Sequence, residues 1–465
     1  MLSFTRHAFH TLRSMTHPLL VVVGTTGVGK SQLGIELAKA LNGEVVNADS
    51  MQVYKGLDIA TNKATTEERD GIPHHLMDFV DPSREYSVSE FQRDALQVIS
   101  QIHSRGHTPI LVGGTNYYIQ SLLWRESIIA SASEPDLSAP DIRHESLASH
   151  PLADRMARAL DATDPKRRSM KEIAEFVGTN ELAELVSCVD PVMAERWHPN
   201  EDRKLRRSLQ IFYTTGKPHS EWIAEQQAST KDTLRFKTCI FWLYADPPAL
   251  YPRLDKRVDE MIKLGLFPEL LDMRKKLVTG QVIGTPTQDH TPYNYTRGIL
   301  QAIGFKEFDT YFSHLESPGA DTDVDSLCAQ GIENMKRATR QYARRQVTWI
   351  KNKLATRCFG VEGVEFFLLD ASSLDGWNQT IRDPAIQIAK DFLENKPTPS
   401  PHTLTPLAST LLPTHSKTPQ WKKQTCPVCV DRDGKPRVLN GSLEWDVHVQ
   451  TRGHRLRMQK MDQVV

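Results

Sequence analysis

The segment that most restricts how this chain can fold is Gly24-Thr-Thr-Gly-Val-Gly-Lys-Ser31. It satisfies the spacing G-x-x-x-x-G-K-[ST] in full. It lies between Leu19–Val23, a continuous apolar run suited to a buried parallel strand, and a helical stretch from Lys30 to Leu41. Glycines let the backbone close around an anion. Successive amides and the helix N-terminus then point at phosphate oxygens, Lys30 adds a point charge, and Ser31 is placed to reach a magnesium ion. The ligand this predicts is a phosphate chain, which need not be a nucleotide.

The rest of the chain extends that unit. Strands are predicted at Glu44–Ala48, Pro109–Val112 (ending in Gly113-Gly114), Thr238–Leu243 and, at an edge, Val364–Leu369. Helices are predicted at Val88–Ser104, Leu250–Leu264 and Asn334–Lys353. Such alternation specifies an α/β fold: a P-loop NTPase-like parallel sheet flanked by helices. Between residues 128 and 198 helical stretches broken by Ser, Pro and Asp carry no strand-like run, which reads as a helical insertion domain and leaves 19–127 and 199–395 as the core. Six prolines among Thr, Ser and His between Lys396 and Pro419 predict a linker over 396–420, and 421–465 forms a small basic module.

In an open α/β sheet ligands bind at the carboxyl ends of the strands. Asp49, just after the second strand, is therefore expected to face the phosphate loop, where a carboxylate can bind magnesium or take a proton from a nucleophile. A turn or helix-capping Asp is the structural alternative. Lys and Arg number 57, as do Asp and Glu, so any nucleic-acid surface must be local. Arg203, Lys204, Arg206 and Arg207 form one basic cluster. The stretch Asn334–Val361 contains no acid and places Arg337, Arg340, Arg344 and Lys351 on one helical face, either a solvated face or an RNA-backbone surface.

Cys426-Pro-Val-Cys429 is followed after eighteen residues by His448 and after five more by His454, a pattern that closes a tetrahedral zinc site. The other four cysteines are scattered and read as small core residues. No apolar run reaches the roughly 18 residues of a membrane span. Residues 1–18 hold Arg6 and Arg13, and the first acidic residue is Glu36, which is the composition of a mitochondrial presequence, with an unstructured tail as the alternative. With Met15 as a second start, the chain is expected in mitochondrion and cytoplasm.

Several segments together, in order, resemble the tRNA dimethylallyltransferases. They are Gly24–Ser31, Asp49–Asp58, Pro73–Asp78, Tyr86–Phe91, Val112–Tyr118, Arg203–Arg207 with Thr215–Lys217, Arg257–Met261, Ile303–Glu307 and Thr339–Gln346. The Cys/His module makes the chain similar to the eukaryotic branch. The resemblance implies transfer of a dimethylallyl group from its diphosphate to an adenine in the tRNA anticodon stem-loop, by a monomer using magnesium, with structural zinc at Cys426, Cys429, His448 and His454. It implies that Gly24, Thr25, Thr26, Gly27, Val28, Gly29, Lys30 and Ser31, together with Arg257, hold the diphosphate, and that Asp49 is the general base. Thr26, Lys30 and Arg257 share the catalytic role with Asp49. Asp49, Ser50, Met51, Gln52, Thr115, Arg203, Lys204, Arg206 and Arg207 are implied tRNA contacts. A P-loop kinase, an isopentenyltransferase acting on free adenylate and a non-catalytic RNA-binding protein are the competing readings. A kinase needs neither Asp49-Ser-Met-Gln52 nor a finger, and adenylate needs no insertion.

Overall fold

A computed structural model describes residues 17–125, 179–198, 201–228, 234–279, 297–316, 323–413, 423–430, 436–440 and 447–462, with Val282, Tyr295 and Trp445. The expected targeting segment, apart from His17 and Pro18, and the first part of the expected insertion lie outside these residues. Residues 1–128 with 232–416 make one compact unit, and 129–231 with 417–465 a second.

The first unit is built on six parallel strands: β1 (Pro18–Gly24), β2 (Gly43–Asn47), β3 (His74–His75), β4 (Thr108–Gly113), β5 (Lys237–Tyr244) and β6 (Val364–Asp370), in the spatial order β3-β2-β4-β1-β5-β6. Two-residue β3 is too short to carry an alternation signal, which is why the sequence did not disclose it. Its partner is fixed by a buried carboxylate. Glu44, at the start of β2, accepts hydrogen bonds from the Arg105 guanidinium and pairs with His75 Nε2 at 2.6 Å and His107 Nδ1 at 2.7 Å. Although burial opposes ionisation, these partners hold the Glu44 carboxyl down at about 2.

Successive residues of a strand point to opposite faces, and both faces are covered. Leu19, Val21, Val23, Leu111, Ile240 and Trp242 join one core; Leu20, Val22, Ile110, Val112, Phe241 and Leu243 join the other. Helices α1 (Lys30–Ala40), α2 (Val88–Ser104), α3 (Asn116–Leu123), α4 (Pro247–Lys263), α5 (Val324–Trp349) and α6 (Asp383–Leu393) pack around the sheet. Helix α2 begins where predicted because Ser87 and Glu90 form a reciprocal capping box, and its buried Phe91, Ala95, Ile99 and Ile102 recur at helical spacing. Helix α5 starts ten residues before the predicted Asn334 and runs on as a π-helical segment, Ile350–Ala355.

Two expected boundaries are corrected. Helices Asp202–Thr215 and His219–Ala228 belong to the second unit rather than to a core resuming at 199. Leu205, Leu209 and Phe212 are buried against Leu182, Leu185, Val186, Val189 and Met193 of the helices Thr179–Val189 and Pro191–Arg196. The expected linker also begins too early. Residues 401–403 and 408–411 form short helical turns, and Ala408 and Leu412 are buried in the first core. The leucines between the prolines supply enough apolar surface to dock; residues 414–420 lie outside the described residues.

Candidate active site

The register fixes the site. Gly24 ends β1 beside Leu243 of β5, Val23 pairs with Gly113 of β4, and Val112 of β4 with Asn47 of β2. The phosphate loop, Gly114 and Asp49 therefore leave the sheet side by side at its carboxyl edge. Gly29 needs to be glycine twice over: its φ is 87°, and a Cβ there would lie 2.6 Å from the Trp377 ring.

A cleft of about 270 Å³ opens at this edge, lined among others by Thr26, Gly27, Gly29, Lys30, Ser31, Asn47, Asp49, Gln52, Arg257 and Gln346. Of the eight loop residues, Gly24, Thr25 and Val28 do not line it; they are buried behind the loop and shape it. Lys30 donates to the Thr25 carbonyl at 2.7 Å. Burial pushes its ammonium down to about 8, with Asp49 opposing the shift and Arg257 adding to it. Arg257, on α4, donates from Nη2 to Thr26 Oγ1 at 2.7 Å, while its Nε is buried without a partner. Burial lowers this guanidinium to about 10. Two enclosed cations, one with an unsatisfied donor, are the electrostatic complement of an anion.

Asp49 is positioned by its turn. Its amide donates to Asn47 Oδ1 at 3.2 Å, and its Oδ1 accepts from the Met51 amide at 3.0 Å. The Asx turn expected as a purely structural alternative is thus present, and it leaves Oδ2 facing Gly114: a Cβ on Gly114 would lie 3.8 Å from that oxygen. Thr115 Oγ1 accepts from the Ser50 amide at 2.8 Å and lies 3.1 Å from Ser50 Oγ, so these two tie the Asp49 turn to the start of α3. The Gln52 amide nitrogen donates to the Thr61 and Asn62 carbonyls. Ser50 and Met51 do not line the cleft.

Gln346 ends the segment Thr339–Gln346, and the sequence pattern alone assigns it no role. From α5 it accepts from the Thr26 amide at 2.9 Å and donates to the Gly114 carbonyl at 3.1 Å, clasping the phosphate loop to the loop beside Asp49. A signal existed: Met335, Thr339, Ala343 and Gln346 form one buried stripe, and a glutamine in a buried register needs polar partners. The expected basic face of α5 is partly consumed. Arg340 pairs with Asp255 and Lys336 with Asp259, both on α4, whereas Arg344, Arg345 and Lys351 stay exposed. Acids one helix away neutralise the first half of the acid-free stretch and leave its far end cationic.

In the second unit, described by itself, Lys204 lies 4.7 Å over the Trp197 ring and pairs with Glu201. Arg206 and Arg207 are half-buried, and burial lowers the Arg207 guanidinium. The Arg203 side chain lies outside the described residues. In the same unit β7 (Lys423–Val430) and β8 (Pro436–Asn440) form a hairpin, followed by the helix Arg452–Asp462. Cys426, Cys429, His448 and His454 are all buried, with one ligand atom from each within 4.8 Å of the others. Each thiol sulfur lies 3.5 to 3.6 Å from His454 Nδ1. Both ring nitrogens of His448 are buried without a partner. Two thiols and two imidazoles converging in this way can hold a metal ion.

With this geometry in place, the comparisons with known proteins decide the family. The family model described as IPP transferase matches residues 52–353. The chain belongs to the IPP transferase family. It is 36% identical to the tRNA dimethylallyltransferase of Schizosaccharomyces pombe over 95% of each chain. It is 38% identical to that of Saccharomyces cerevisiae, covering 96% of this chain and 93% of the relative. The human tRNA dimethylallyltransferase is 34% identical over 96% of this chain and 86% of its own. The fold also matches a solved eukaryotic dimethylallyltransferase acting on tRNA, with a TM-score of 0.71 and 35% identity over 96% of this chain and 98% of that one. Among IPP transferases the P-loop architecture therefore serves prenyl transfer, and the kinase reading is set aside.

Proposed function

We propose that the chain transfers a dimethylallyl group from dimethylallyl diphosphate to the exocyclic N6 of the adenine 3′-adjacent to the anticodon of tRNA, giving N6-isopentenyladenosine and diphosphate. One observation carries the reading: a carboxylate, Asp49, and two enclosed cations, Lys30 and Arg257, converge on a single cleft. The adenine amine is a poor nucleophile because its lone pair is delocalised into the ring. An allylic carbon compensates by tolerating early departure of its leaving group. As the amine nitrogen bonds to C1 of the donor, the C1–O bond breaks and its electron pair leaves with diphosphate. Lys30, Arg257 and the amides of Gly27, Gly29 and Lys30 stabilise that charge, and Asp49 takes the proton the amine sheds.

Magnesium suits the exposed Ser31 hydroxyl beside Lys30 and the Asp49 carboxylate across the cleft, since oxygen donors match a hard cation. When bound it would supply further charge stabilisation for the diphosphate. Zinc suits the two thiols and two imidazoles of the C-terminal module, where it would hold a small fold together. The acid-poor first 18 residues support delivery to the mitochondrion, with a cytoplasmic form from Met15.

Incubation with labelled dimethylallyl diphosphate and unmodified tRNA, followed by nucleoside analysis, tests the reading. Label is expected in N6-isopentenyladenosine of tRNA. Label in free adenylate alone, or ATP turnover without donor consumption, would refute it.

A further inference from the structure

Tyr117 stands out from the other aromatic residues. It is 70% exposed, and among the described residues no aromatic side chain is more so. It sits in the first turn of α3, three residues after Gly114 and two after Thr115. Its ring lies 6.0 Å from that of Trp349, tilted by 55°. Trp349 ends α5 three residues beyond Gln346, on the same side of the helix. Gln346 is itself bonded to the Gly114 carbonyl. One helical turn beyond each side of that clasp, then, the two helices set their rings against each other, next to the loop that holds Asp49.

A core role does not account for this arrangement. Trp349 packs against the core, but Tyr117 leaves most of its ring to solvent, at a cost of exposed apolar area that packing would have removed. The surroundings are cationic. Arg345, one turn before Trp349 on the same face, is exposed, as are Arg344 and Lys351, beyond the part of the helix that Asp255 and Asp259 neutralise. Flat aromatic surface beside a cation matches an unpaired nucleobase with its phosphate.

We propose that Tyr117 and Trp349 form a stacking platform for an unpaired base flanking the acceptor adenine in the RNA substrate. This rests on the function proposed above. An adenine that leaves the loop stack to reach Asp49 strips its neighbour of a stacking partner, and the platform restores one. That lowers the cost of flipping and fixes the register of the loop at the cleft. Every base presents a π-face, so the site recognises an unstacked nucleotide rather than a particular base.

The test uses the full chain and an anticodon stem-loop RNA carrying 2-aminopurine in turn on each side of the acceptor adenine. The ring of Tyr117 is largely exposed, so Tyr117→Ala is expected to fold normally, as circular dichroism can verify. Wild type should quench the probe at one flanking position on binding, and Tyr117→Ala should lose that quenching. Its KM for the stem-loop should rise roughly 5- to 150-fold, the range spanned by base–aromatic stacking. Its KM for dimethylallyl diphosphate should stay as in wild type, and Tyr117→Phe should restore both quenching and the RNA KM. Quenching that persists in Tyr117→Ala, an unchanged RNA KM, or failure of Phe to rescue would overturn the platform. If wild type transfers no prenyl group, the functional reading fails, while the direct binding of the fluorescent RNA still decides the platform.

Discussion

Gln346→Ala is the perturbation that separates a clasp from mere packing. The side chain satisfies two backbone groups belonging to different loops, the Thr26 amide and the Gly114 carbonyl. The Gly114 bond is buried, and leaving that carbonyl unsatisfied costs about 1–3 kcal/mol. The Thr26 amide is only part-buried and can find water, so it adds less. Stability should fall by roughly 2–3 kcal/mol, read as a lower urea midpoint at an unchanged slope. The phosphate loop, no longer tied to the Asp49 side of the cleft, should bind donor less well. We expect KM for dimethylallyl diphosphate to rise roughly tenfold, the equivalent of ~1.4 kcal/mol. Gln346→Glu keeps an acceptor for Thr26 but loses the donor to Gly114 and brings negative charge to a diphosphate site, so it should raise the donor KM further. Unfolding by urea and steady-state kinetics at saturating tRNA measure both effects. A Gln346→Ala protein with the wild-type midpoint and a donor KM within about twofold of wild type would refute the clasp.

The remaining predictions concern the cations, the base and the finger. Lys30 is held at about 8 mainly by burial, so its ammonium is present below that pH and lost above it. In the free enzyme kcat/KM for the donor should therefore decline as pH rises through 8, and Lys30→Ala should lack that limb as well as most activity. Asp49→Ala should reduce transfer by ~10²–10⁴-fold while tRNA affinity, measured by filter binding, stays near wild type; retention of more than about a tenth of the turnover would remove the general-base role. Cys426→Ser combined with Cys429→Ser, or stripping the metal with a chelator, should unfold the finger. KM for tRNA should then rise and its salt dependence become shallower, with the donor KM unchanged; an unaltered salt slope would place the finger's role elsewhere.

Much of the site could be read from the chain because the determinants are local. Gly24–Ser31 forms its loop through glycine torsions and a helix start that neighbours in sequence dictate. The strand before it is apolar over consecutive residues because both faces of a parallel strand are buried. Asp49 could be placed because strands in such a sheet all deliver their carboxyl ends to one edge. That Cys426, Cys429, His448 and His454 would come together could be read from type and spacing, since few residue chemistries suit a metal ion.

What the tertiary structure alone decided depends on partners far apart in sequence. Gln346 lies 320 residues from Thr26, so no local pattern could assign it to the phosphate loop. The same holds for Arg340 and Lys336, whose charges are spent on Asp255 and Asp259 rather than offered to RNA. The prolines from Lys396 onward suggested an unfolded linker, yet Ala408 and Leu412 dock on the core because a complementary apolar surface awaits them. The two-residue β3 exists only because β2 and the Glu44 cluster hold it in register. Sequence determines what each segment can offer, its torsions, charge and apolar face. Which offers are taken up depends on burial and on partners across space, and those exist only once the chain has folded.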